Sequence, residues 1–116
     1  NGSDELIKII FQALVSKSHS IIVPQYSFSS YFINAQLVEA NCIFSTLHSD
    51  WNVDFESILE NIPANTKLIC LANPSNPLGS YTEINKIKSF LAKLPNNIVF
   101  VLDEAYFEYI KYKLHK

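Results

Sequence analysis

Apolar positions along the chain follow two rhythms in turn, and their succession predicts helices alternating with strands. Between Ser3 and Ser16, the set Leu6, Ile9, Ile10, Ala13 and Leu14 has the three-and-four spacing of an amphipathic helix. Ser3 is placed as its N-cap, with Asp4 and Glu5 in a first turn where carboxylates meet the positive end of the helix dipole. Ser20-Ile21-Ile22-Val23 is a mostly β-branched run closed by Pro24, which reads as a buried strand. Phe28, Tyr31, Phe32, Ala35 and Val38 mark a second helix, and Ile43-Phe44 a short strand. Phe55, Ile58, Leu59 and Ile62 mark a third helix, capped by Asp54 and stopped before Pro63.

The second half repeats the alternation. Lys67 to Ala72 is a nearly continuous apolar run, followed by the loop Asn73-Pro74-Ser75-Asn76-Pro77-Leu78-Gly79. Thr82 is placed as the cap of a helix carrying Ile84, Ile87, Leu91 and Leu94. Ile98 to Leu102 is a further apolar run that ends at Asp103-Glu104. Strands apolar on both faces, separated by amphipathic helices, require a sheet covered on two sides. The expected fold is α/β: a doubly wound, mostly parallel sheet with helices on both faces, forming a single domain over residues 1–116.

Composition narrows the function classes. The 116 residues are 48% hydrophobic and 17% charged, as in a folded globular chain. Nine basic residues against eleven acidic ones give a net charge of −2. All nine are lysine, so the arginines that usually contact phosphates and guanines are missing and a nucleic-acid partner is not expected. No apolar run is long enough to span a membrane. Cys42 and Cys70 lie in apolar stretches without metal or redox spacing, and read as buried thiols in a reducing compartment. His19, His48 and His115 are scattered, so neither a metal site nor a histidine base is expected. The two glycines, Gly2 and Gly79, mark backbone that needs unusual geometry or close approach.

Ligands of open α/β sheets bind beyond the carboxyl ends of the strands. Three such ends carry polar or aromatic groups: Pro24-Gln25-Tyr26, Asn73 to Gly79, and Asp103 to Tyr106. The start of the first helix, Gly2-Ser3-Asp4, adds free N–H groups suited to a phosphate. Taken singly, each has an ordinary reading as a helix start, a turn or a proline loop. Asp103 is harder to dismiss, because a carboxylate closing a buried strand costs free energy unless it is solvated or paired.

Together these segments resemble a known family. Asn73 to Gly79 looks like the NPxNPTG loop of fold-type I pyridoxal-phosphate aminotransferases, with Leu78 where threonine is usual. Asp103-Glu104-Ala105-Tyr106 matches the DEAY segment of that group, and Gly2-Ser3-Asp4-Glu5 resembles its phosphate-binding turn. With Pro24-Gln25-Tyr26, the set is most similar to the histidinol-phosphate aminotransferases. The resemblance implies pyridoxal 5'-phosphate as cofactor. Backbone N–H groups of Ser3 and Asp4 would hold its phosphate, and Tyr26 would stack on its ring. Asn76 and Tyr106 would hydrogen-bond the phenolic oxygen, and Asp103 would pair with the protonated ring nitrogen. The Asn76–Pro77 bond is expected cis, and the cofactor residues are expected to meet at one edge of the sheet.

The same resemblance implies a cytoplasmic homodimer moving an amino group between histidinol phosphate, or a similar amino acid, and 2-oxoglutarate. The family's Schiff-base lysine lies in a serine-rich motif some tens of residues after DEAY. Lys111, Lys113 and Lys116 are in no such motif, so no catalytic residue is expected in this chain and the 116 residues alone are expected to be inactive. The expectation is a segment of the family's large domain. Other readings stay open: another fold-type I enzyme, such as an aromatic or aspartate-type aminotransferase, a threonine-phosphate decarboxylase or a carbon–sulfur lyase, or a truncated non-catalytic binding module.

Overall fold

The computed structural model describes residues 2–110. Among the described residues, four helices and four strands alternate: α1 (Gly2–Leu14), β1 (Ser20–Pro24), α2 (Ser29–Leu37), β2 (Asn41–Ser45), α3 (Phe55–Glu60), β3 (Thr66–Ala72), α4 (Ile84–Lys93) and β4 (Val99–Asp103). The strands form one sheet in the order β2-β1-β3-β4, and every pairing is parallel.

This order decides where the helices lie. The β1–α2–β2 connection steps one way along the sheet, whereas β2–α3–β3 and β3–α4–β4 step the other way. Right-handed crossovers in opposite directions put their helices on opposite faces. The core divides accordingly. On one face Ile7, Phe11, Tyr31 and Ala35 of α1 and α2 pack on Ile21, Val23, Leu68 and Cys70. On the other, Ile58 of α3 and Phe90 of α4 pack on Ile22 and Ile69, with Phe55, Phe90 and Phe100 in ring contact. Adjacent strand residues thus feed different cores, and β1 is buried along its whole length. The doubly wound, parallel fold is observed as expected.

Several local expectations are corrected. The stripe Leu6, Ile9, Leu14 is not the buried face of α1: Leu6 is 60% exposed and Ile9 52%, while Ile7 and Phe11 are buried. Two overlapping stripes exist on this helix, and the one that meets Tyr31 and Leu68 wins. Ser3 lies within α1 rather than capping it. Gly2, at φ 70°, begins the helix, and nothing lies within 4 Å of a Cβ built there. Its glycine therefore serves the left-handed backbone and not a close approach. Thr82 does not cap α4; Glu83 flanks it, without a side-chain cap bond. Asp54 does cap α3, its Oδ1 accepting the Ser57 N–H at 3.0 Å. Both cysteines are free, but only Cys70 is fully buried. Cys42 is half-buried, and that burial pushes its thiol up to about 11.

The two stripes of α1 can be separated by stability. Phe11→Ala is expected to cost about 3–5 kcal/mol in a urea melt, as for a buried aromatic truncated to alanine. Leu6→Ala is expected to stay within about 0.5 kcal/mol, as at exposed positions. A larger cost for Leu6→Ala than for Phe11→Ala would show that the two faces of α1 had been interchanged.

Candidate functional site

The carboxyl ends of β1, β3 and β4 share one edge, because all strands run the same way. α1 enters β1 through a short loop, so its amino end returns to that edge. Ser3, Phe28, Ala72, Pro74, Asn76, Asp103, Ala105 and Tyr106 line one cavity there. Ser3, Asn76 and the neighbouring pair Asp103 and Tyr106, three places far apart in sequence, are therefore brought together.

Asp103 closes β4 and is held from two sides. The Tyr31 hydroxyl donates to its Oδ2 at 2.8 Å, and the Ala105 N–H donates to its Oδ1 at 3.1 Å. Tyr31 is fully buried. Burial first, and then the Asp103 carboxylate that its hydroxyl serves, hold the phenol well above the usual range, so it stays a donor. Phe28 meets the Tyr31 ring edge-on, with centroids 5.9 Å apart and an interplanar angle of 86°.

The Asn73–Gly79 loop is fastened to the same edge. The Asn73 N–H donates to the Asp103 carbonyl at 2.9 Å, which prolongs the β3–β4 pairing by one residue. The buried Asn73 side chain then clasps the Thr82 main chain, accepting its N–H at 2.8 Å and donating to its carbonyl at 2.9 Å. That clasp, and not a helix cap, is what holds Thr82. Both Asn73–Pro74 and Asn76–Pro77 are cis. The Gly79 N–H donates to the Ser75 carbonyl, and the Ser75 N–H to the Ser80 carbonyl, each at 2.8 Å. Gly79 has φ 74°, which a residue with a Cβ adopts only with strain.

The side chains of Asp4 and Tyr26 stand apart from this cavity. The Asp4 carboxylate accepts a hydrogen bond from the Ser30 hydroxyl of α2, which turns it toward the groove between α1 and α2. Tyr26 sits just past β1 at φ 57°, is 62% exposed, and packs edge-on against Trp51 with centroids 6.0 Å apart. Tyr31, Phe28 and Asn73 are the members that sequence reasoning missed. By pattern alone Tyr31 and Phe28 read as helix-face apolars and Asn73 as a turn former. The signal available for Tyr31 was a hydroxyl inside an otherwise apolar stripe. Among the described residues no cluster of histidine, cysteine or carboxylate side chains could hold a metal ion. No described helix is long and apolar enough to cross a membrane.

The sequence profile described as aminotransferase class I and II matches residues 1–112. The chain belongs to the class I and II aminotransferases. It is 44% identical over 115 residues to the histidinol-phosphate aminotransferase of Pelagibacter ubique, covering 99% of this chain and 32% of the relative. It is 41% identical over 110 residues to histidinol-phosphate aminotransferase 2 of Hydrogenovibrio crunogenus, covering 95% and 29%. A crystal structure of the histidinol-phosphate aminotransferase of Sinorhizobium meliloti, in complex with pyridoxal-5'-phosphate, superposes with a TM-score of 0.84 at 26% identity. That match covers 92% of this chain and 29% of the other. The chain thus spans about a third of the length of these aminotransferases.

In this aminotransferase segment the Asn73 clasp has a measurable worth. Asn73→Ala leaves the Thr82 N–H and carbonyl unpaired in a buried setting, and is expected to cost about 1–3 kcal/mol by thermal or denaturant melting. A neutral substitution would show that the loop stands without it.

Proposed function

We propose that this segment holds pyridoxal 5'-phosphate in an aminotransferase that moves an amino group between histidinol phosphate and 2-oxoglutarate. The observation that carries the reading is the convergence of Ser3, Asn76, Asp103 and Tyr106 on one cavity. Their chemistry fits the group. A carboxylate suits a protonated ring nitrogen, an amide and a phenol suit a phenolic oxygen, and the first turn of α1 suits a phosphate. The names of the curated relatives support the substrate.

When bound, the cofactor supplies an electron sink for the carbanion formed at the substrate α-carbon. Asp103 keeps a proton on the ring nitrogen by offering it a fixed anion. Asn76 and Tyr106 donate to the phenolic oxygen and set how readily it gives up charge. N–H groups of Ser3 and Asp4 bind the phosphate and fix the position of the ring. Tyr26 covers one face of the ring, which requires its side chain to turn in from Trp51. The catalytic lysine is supplied from outside these 116 residues. The full-length enzyme is a homodimer; the exposed Leu6, Ile9, Ile33 and Leu37 on α1 and α2 support an apolar face that other protein surface covers. The free thiols of Cys42 and Cys70 support the cytoplasm as its compartment.

The test is transamination by the full-length protein. Histidinol phosphate is expected to be a better donor to 2-oxoglutarate than tyrosine, phenylalanine or aspartate. Asp103→Ala is expected to lower kcat/KM by about 10²–10³, as for loss of one preorganised electrostatic contact. The 116-residue chain alone is expected to turn nothing over. Preference for an aromatic or acidic donor would replace the substrate. Failure of the full-length protein to bind pyridoxal phosphate would remove the reading altogether.

A further inference from the structure

We propose that Tyr31 is a positioning residue that acts through Asp103, orienting its carboxylate toward the ring nitrogen of the bound cofactor. The inference rests on the pyridoxal-phosphate reading above and deepens it. Tyr31 lies in the first turns of α2, in a core cluster otherwise made of apolar side chains and Cys70. A phenylalanine would satisfy that packing. A hydroxyl in such a place costs free energy unless it has a partner. Its partner is the Asp103 Oδ2, 2.8 Å away and 72 positions along the chain.

The bond fixes one oxygen of the carboxylate, and the Ala105 N–H fixes the other. With both oxygens engaged from the protein side, the carboxylate has little rotational freedom. Each oxygen keeps acceptor capacity for the cavity that Asp103 lines. The titratable groups facing Tyr31 are Asp103 from β4 and the Cys70 thiol from β3. Both act in the same direction as burial, keeping the phenol protonated and donating. Tyr31 itself cannot wander, since Phe28 braces its ring and the residue is fully enclosed. The adjacent Ser30 hydroxyl donates to the Asp4 carboxylate, so the start of α2 also steadies the first turn of α1. Two consecutive side chains thus support the parts of the site that serve the ring nitrogen and the phosphate.

The experiment compares two ligands on the full-length protein: pyridoxal phosphate, and its 1-deaza analogue, in which carbon replaces the ring nitrogen. Only the first can use a correctly aimed Asp103. Tyr31→Phe keeps the ring and removes the hydroxyl. It is expected to weaken pyridoxal phosphate about tenfold, and the deaza analogue less than about twofold, in a protein that still folds cooperatively with a lowered thermal midpoint. Asp103→Asn is expected to give the same selectivity, and adding Tyr31→Phe to it is expected to change neither affinity further. Equal loss of both ligands, no loss of either, an additive double variant, or a Tyr31→Phe protein that does not fold would each overturn the positioning role. If the unsubstituted protein binds neither ligand, the fault lies in the cofactor reading, and the two failures are told apart.

Discussion

Parallel pairing is the constraint from which the site follows. Four strands that run the same way present all their carboxyl ends at one edge, and each return journey has to be made by a helix. The reversal of strand order between β1 and β3 sends the helices to opposite faces. The loops that leave those two strands therefore part at the edge, and the gap between them is where a ligand fits. Asp103 closes β4 beside that gap, and α1 brings its amino end to it. The chemistry of the site is thus a consequence of connectivity, with few residues needed to specify it.

Much of this was legible because it is local. Strand identity follows from runs such as Ile21-Ile22-Val23 and Leu68 to Leu71, apolar at every position because both faces are covered. The site residues that fall in compact motifs, Asn76 and the Asp103–Tyr106 segment, could be placed at strand ends by reading along the chain. What escaped depends on long-range partners. The choice between the Leu6 and Ile7 stripes of α1 is made by Tyr31 and Leu68, distant in sequence, so periodicity alone could not make it. Asn73 looks like any turn residue until Thr82 is folded against it. Tyr31 counts equally well as a core aromatic until Asp103 arrives 72 positions later. Tyr26 shows the converse: its motif placed it at the correct strand end, but the rotation of its side chain depends on Trp51.

Asn73 and Asp103 show how the sheet passes its rigidity to the loops. Ala72 pairs with Asp103 in register, and the next N–H along β3 donates to the Asp103 carbonyl. The proline loop therefore begins while its backbone is still part of the sheet. Its far end is tied to Asn73 through Thr82, so both ends of the loop are anchored on one side chain and one strand position. A loop closed in this way loses little further freedom when a ligand arrives, because the entropy of ordering it has already been lost on folding.

The same reasoning bears on why a polar link crosses the core at all. An apolar residue at Tyr31 would pack as well and would remove a buried hydroxyl. Yet it would leave Asp103 with the Ala105 N–H as its one described hydrogen-bond donor, and free to swing about that contact. Partial pairing of a carboxylate at a strand end is the costly case, whereas full pairing is nearly neutral. The hydroxyl and the carboxylate make sense only together. Their union lets the fold keep an anion at the end of a half-buried strand, with acceptor capacity still open to the cavity. A stable core and a preorganised site are, at this one contact, the same requirement.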